Sequence, residues 1–186
     1  MGKRGRARAA TPVPIRQDNP SRDFLHPASV EDVAELVAHL PPEDLSELTA
    51  INLRRVPWSS YERDDAFGFY DPHDREITLR AFPSDLRLYI GGREPSERER
   101  REFDPFCRDW RRGPHGWYLQ WDEASLRRFY LYDVLLHEIG HHVADRGKPV
   151  GKTRRSANEA FAHDYARRWR RRLDPDRPAA AAEGQP

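Results

Sequence analysis

Apolar residues recur along the middle of the chain with two different periods, and the switches between them mark out its elements. Val30, Val33, Leu36, Val37 and Leu40 fall at helical spacing, which predicts an amphipathic helix with one face turned inward. Ser29 stands before it with Asp32 three residues on, the arrangement of a reciprocal N-terminal cap. Pro41-Pro42 closes that helix, and a short second one is expected from Pro42 to about Leu48, with the proline in its first turn. The period then shortens. Ile51, Leu53 and Arg55 alternate with polar neighbours, predicting a first strand. Ala66 to Tyr70 and Glu76 to Ala81 flank Asp71-Pro72-His73-Asp74-Arg75, so a hairpin is expected there.

Residues 91–114 are polar, and the charged run from Ser96 to Glu102 reads as a surface helix or a loop insertion. Gly116 to Trp121 alternates again and puts Trp117, Leu119 and Trp121 on one face of a short strand. Asp122 or Ser125 can cap a long helix running to about Ala144 and stopped by Gly147 and Pro149. A last helix is expected from about Arg154 to Leu173,. Helices, three or four short strands, then two helices make an α+β pattern. Residues 1 to about 24 and 174–186 are rich in Arg, Ala and Pro with few large apolar side chains. Both are expected to be disordered tails, the first a basic one, around a domain over 25–173.

Composition narrows the function classes. The chain is 37% hydrophobic and 34% charged, yet its formal net charge is only +1, so there is no global attraction to nucleic acid or an anionic membrane. Cys107 is the one cysteine, which excludes an intrachain disulfide and a Cys-rich zinc site and fits a reducing compartment. The basic start Met1 to Arg6 is not followed by an apolar run, and Arg6 stands where myristoylation needs Ser or Thr,. No stretch approaches the roughly 20 apolar residues of a membrane span. A soluble cytoplasmic protein with no membrane partner is the expectation.

The candidate chemistry sits in Val134-Leu135-Leu136-His137-Glu138-Ile139-Gly140-His141-His142. On a helix, His137 and His141 lie about one turn and ~6 Å apart on one face. Two imidazoles so placed can share one tetrahedral zinc ion. Glu138, one residue past the first histidine, is placed to take a proton from a water on that ion. His142 is rotated by ~100° and is expected behind the ligands or at the surface.

So short a motif also arises by chance in amphipathic helices, so the discrimination rests on a third donor. Position 147 is Gly rather than a third His, and no cysteine lies nearby. The next helix offers Glu159, eighteen residues after His141, with the small Ala160 and Ala162 beside it to allow close packing. Glu159 is either a third ligand or the carboxylate of a capping box with Ser156. Asp145 and His163 are lesser candidates.

On Leu135 to His142 and on Asn158-Glu159-Ala160-Phe161-Ala162, the chain resembles the gluzincin branch of zinc metallopeptidases. It looks most like the minigluzincins and the related ImmA/IrrE-type and SprT-like zincin domains. The segments Phe67 to Tyr70 and Glu76 to Leu79 sit where such domains carry their sheet, and the resemblance spans roughly residues 28–173. It implies a compact zincin-like domain with a small twisted sheet, and Zn2+ held by His137, His141 and Glu159. It also implies that Glu138 acts as base and acid in hydrolysis of a peptide or protein substrate. One departure is visible: several gluzincins carry an Asp four residues after the ligand Glu to orient an imidazole, whereas here that position is His163 and Asp164 follows it.

By the same resemblance, the strand at Trp117 to Trp121 can be the sheet edge that pairs with an extended substrate. The plainer reading is a buried strand whose tryptophans fill the core. Tyr130, Tyr132 and Tyr165 read as core or boundary residues. Arg167, Arg168 and Arg170 to Arg172 can serve a helix C-terminus and a solvated face. With Lys148, Lys152, Arg154 and Arg155 they can instead form a patch for nucleic acid or an acidic partner. The alternatives to a peptidase are therefore a regulatory or nucleic-acid/protein-binding zincin, or a zinc hydrolase with another substrate.

Overall fold

The computed structural model describes residues 12–61, 66–146 and 155–174. The elements in chain order begin with β1 (Ile15–Gln17), β2 (Phe24–Leu25), α1 (Val30–Ala38), a 3-10 turn (Pro42–Leu45), β3 (Ala50–Arg54) and α2 (Trp58–Tyr61). Next come β4 (Gly68–Asp71), β5 (Glu76–Arg80), β6 (Phe82–Pro83), β7 (Arg87–Gly91), α3 (Glu97–Phe103), β8 (Trp110–Gly113) and β9 (Gly116–Gln120). The chain ends in α4 (Glu123–Phe129), a π-helical turn (Tyr130–Leu135), α5 (Leu136–Asp145) and α6 (Arg155–Leu173). The architecture is α+β, with three small sheets and the helices that carry His137, His141 and Glu159 at the C-terminal end of the described chain.

Local rules account for the helix starts. Ser29 Oγ accepts from the Asp32 backbone N–H at 3.1 Å, and Asp32 accepts in turn from the Ser29 N–H. Such a cap contributes about 1 kcal/mol. Asp122 and Ser125 form a second reciprocal cap at the start of α4. The charged run after Ser96 is a helix rather than an insertion. Ser96 caps it, Glu99 is gripped by both Arg93 nitrogens at 2.7 and 2.8 Å, and that guanidinium holds its carboxyl down at about 2. Phe103 then anchors it in an aromatic cluster with Phe67, Trp121 and Phe129.

The main sheet runs β1-β3-β5-β4, with β1, β3 and β5 parallel and β4 antiparallel to β5. β3 is buried on both faces from Ala50 to Leu53. A central parallel strand reads this way rather than as an alternation, which corrects the expectation for Ile51 to Arg55. Even Asn52 is enclosed, and its Nδ2 donates to Glu76 Oε2 at 2.8 Å. The expected helix at Pro42 is only one 3-10 turn.

The domain limits also need correction. Residues 15–17 are not a tail, because β1 pairs with β3 from Ile15↔Ile51 to Gln17↔Leu53. Backbone pairing to a central strand supplies what the scarcity of apolar side chains there does not. At the other end, Asp174 is buried and bound by Arg128 at 2.9 and 3.1 Å, so it belongs to the domain. The expected tails over 1–11 and 175–186 lie outside the described residues.

The second sheet is ordered β7-β9-β8, all antiparallel. β9 is its central strand, with both edges occupied, so Trp117 to Trp121 is not an edge for substrate. The plainer reading holds for Leu119 and Trp121, which fill the core, while Trp117 is half-buried. Among the described residues no helix is long and apolar enough to cross a membrane.

Candidate metal centre

α5 buries Leu136, Ile139 and His142 and turns His137 and His141 to its remaining face. Their Nε2 atoms lie 3.0 Å apart, with ring centroids at 4.6 Å. α6 crosses α5 closely because Gly140 has no side chain. A Cβ there would lie 2.7 Å from the Ala162 Cα and 3.1 Å from its carbonyl oxygen. This crossing brings Glu159 Oε2 to 3.5 Å from His137 and Oε1 to 3.6 Å from His141. The three donor atoms all fall within 4.8 Å of one another.

Of the two small residues read as packing aids, Ala162 is at the crossing, while Ala160 points to solvent. Residue 160 lies two positions before Ala162 and so about 160° around the helix from the buried stripe. α6 begins at Arg155, which makes Ser156 a helical residue rather than the cap that the alternative reading of Glu159 needs.

The electrostatics suit a cation. Burial, and then the neighbouring His141 and His163, push the His137 pKa down to about 3. Burial also lowers that of His141, against the pull of Glu159 and Asp145. Both imidazoles are therefore neutral near pH 7, with lone pairs to give, and a carboxylate completes the set. Two neutral nitrogens and one anionic oxygen, none spent on another strong partner, fit a divalent ion of zinc's type.

Glu138 is only 8% exposed. Burial raises its pKa to about 7; the Tyr70 backbone N–H opposes that rise and Glu159 adds to it. It sits beside the donors without joining them, able to hold or release a proton near neutrality.

Sequence reasoning missed what lies opposite. The Arg80 N–H donates to the Phe67 oxygen at 2.9 Å, and β4 pairs from Gly68↔Leu79 to Asp71↔Glu76. Antiparallel bonding alternates, so Gly68 and Tyr70 direct their N–H and C=O groups to the outer edge, which no strand among the described residues pairs. That edge, with Phe69 about half exposed, forms one wall of a cleft of about 580 Å³ whose floor is His137, Glu138 and His141. Gly68 lets the strand lie directly on the π turn, since a Cβ would meet Val134 Cγ1 at 2.9 Å. The pattern gave no sign of this edge.

Most of the remaining candidates have other partners. His142 is fully buried; its Nε2–H donates to the Ser46 carbonyl at 2.9 Å and Nδ1 faces the Tyr70 hydroxyl at 3.4 Å. It pins α5 to the 3-10 turn and is neither ligand nor surface residue. Asp145 accepts from Asn158 Nδ2 at 2.9 Å. Tyr165 donates to Asp44 at 2.9 Å, and Tyr130 is buried in the aromatic core. His163 stands with its ring centroid 4.5 Å from that of His137.

The arginine patch is smaller than the sequence suggests. Arg170 is paired with Asp133 at 3.1 Å and Arg167 with Asp164 at 2.9 Å, leaving Arg168, Arg171 and Arg172 on the solvent face. Lys148, Lys152 and Arg154, and the side chain of Arg155, lie outside the described residues.

No family model, curated protein or solved structure matches this chain. The donor geometry carries the functional reading by itself.

Proposed function

We propose that the chain is a zinc-dependent metallopeptidase of the gluzincin type, with a zincin-like fold. The observation that carries it is the convergence of His137, His141 and Glu159 beside a buried, near-neutral Glu138 at the floor of a cleft. The two histidines and Glu159 would hold the metal. When bound, zinc supplies Lewis-acid polarisation and makes water acidic at neutral pH. Glu138 takes the proton of the attacking water and passes it to the departing amine, a transfer suited to a carboxyl whose pKa lies near 7. The outer edge of β4 aligns an extended peptide, the Gly68 backbone and the Tyr70 carbonyl offering hydrogen bonds and Phe69 an apolar contact. A cytoplasmic setting belongs to the same proposal, since the lone Cys107 is a buried free thiol.

The test is zinc content and peptide cleavage on the same preparations. About one zinc per chain is expected, lost in His137→Ala and Glu159→Ala. Glu138→Gln should keep the metal and lose cleavage. A wild type that binds zinc but cleaves nothing in a diverse peptide library would remove the peptidase reading.

Arg168, Arg171 and Arg172, exposed on α6, favour a second reading: a nucleic-acid or acidic-protein binder with little peptidase activity. Salt-sensitive DNA binding, lost when these three are replaced, would support it.

A further inference from the structure

We infer that His163 is a displaceable fourth protein donor, one that closes the metal group until a substrate enters. The inference rests on the metal-site reading above. α6 carries His163 one turn after Glu159, so the two side chains leave the same side of the helix. Its ring centroid stands 4.5 Å from that of His137, against 4.6 Å for the pair His137 and His141. By ring spacing, His163 is as near to His137 as the other imidazole of the donor group.

What separates it from the other spare donors is that it is unspent. Both nitrogens of His142 are engaged in the core, Asp145 accepts from Asn158, and Asp164 is paired with Arg167. His163 is exposed, and among the described residues its nitrogens make no hydrogen bond. An exposed ring can turn about its side-chain bonds without opening a cavity or stranding a polar partner. It can therefore swing toward the group or away from it at little cost.

The consequence is a choice between two states. Three protein donors leave a position for substrate, and four close a tetrahedral site. With His163 turned in, the centre is stable and shut. A substrate oxygen displaces the imidazole, which moves back to solvent. His163→Ala should then hold metal less tightly but accept exogenous ligands more readily. A purely catalytic His163 would not produce the second effect.

The experiment uses the full chain loaded with Co2+, whose visible absorption reports coordination number. Wild type and His163→Ala are titrated with Co2+ and then with acetohydroxamate, and thermal melting confirms that both are folded. The expected result is cobalt affinity lower on the order of tenfold or more in the variant. Its spectrum should also be altered, and it should respond to hydroxamate at a lower concentration than wild type. The same cobalt affinity and spectrum in both proteins would overturn this inference and leave the three-donor reading intact. Absence of cobalt binding by wild type would overturn both.

Discussion

α5 and α6 each bring donors to one centre, and they hold them in opposite ways. α5 is built into the protein: Leu136, Ile139 and His142 are enclosed, and Glu138 is nearly so. Among its described side chains, α6 is enclosed along Ala162, Tyr165, Ala166 and Trp169, and its Glu159 side chain is 48% exposed. Burial of α5 on its other faces fixes the helix that carries the two histidines, whereas Glu159 is placed by the crossing at Gly140 and the Asn158–Asp145 bond beside it. The difference teaches that the α5 half of this centre sits on an enclosed helix and the α6 half on a helix buried along one stripe. The exposed half is also where a moving group such as His163 can operate.

The sharpest way to probe the enclosed half is Glu138→Gln. It keeps shape but removes the proton carrier, and peptide cleavage should fall by about 10²–10⁴-fold with zinc content unchanged. On the α6 side, Glu159→Ala should weaken zinc binding on the order of tenfold or more, read by competition with a chelator. Zinc retained at wild-type affinity would reduce α6 to a bystander. Gly140→Val attacks the contact itself. Its new side chain meets Ala162 backbone rather than a flexible tip, so a loss of about 1–3 kcal/mol in stability is expected from overpacking. Zinc affinity should fall with it, and Gly140→Ala should fall between wild type and Val in both readouts.

The smallest effect concerns the junction of the two helices at the π turn. Burial pushes the Asp133 carboxyl up to about 6, Arg170 pulling against the rise and Glu102 adding to it. The folded state thus binds this proton more tightly than the unfolded chain does. The stability it contributes is complete below the ordinary carboxylate value near 4 and is lost as pH rises to about 6. Melting temperature against pH should show that decline in wild type and lack it in Asp133→Asn.

What could be read from the sequence was local. The Ser29–Asp32 cap, the Asp122–Ser125 cap and the hairpin around Asp71 to Arg75 depend on residues within a few positions. The pairing of His137 with His141 depends only on helical pitch. β1 was hidden because its stability comes from Ile51 to Leu53, more than thirty residues on, rather than from its own side chains. The central place of β9 was hidden for a related reason: its neighbour β8 is Trp110-Arg111-Arg112-Gly113, whose exposed arginines carry no apolar period. At the centre itself, composition could propose Glu159, but only the crossing distinguishes Ala162 from Ala160. The β4 wall of the cleft stayed invisible because an outer strand edge is a property of the neighbours a strand lacks.

The π turn at Tyr130–Leu135 has a consequence for which changes of length the chain can accept. A wider turn holds one residue more than the α-helical ladder would, and it lies directly upstream of the histidines. Straightening the turn to α with all its residues kept would rotate everything after it by about 100°. His137 and His141 would rotate away from Glu159, and Ile139 would rotate out of the core. Removing one residue together with the wide turn would instead leave everything after it in phase. Chains that share this centre should therefore keep the surplus residue and the wide turn together, or lose both together, between α4 and α5.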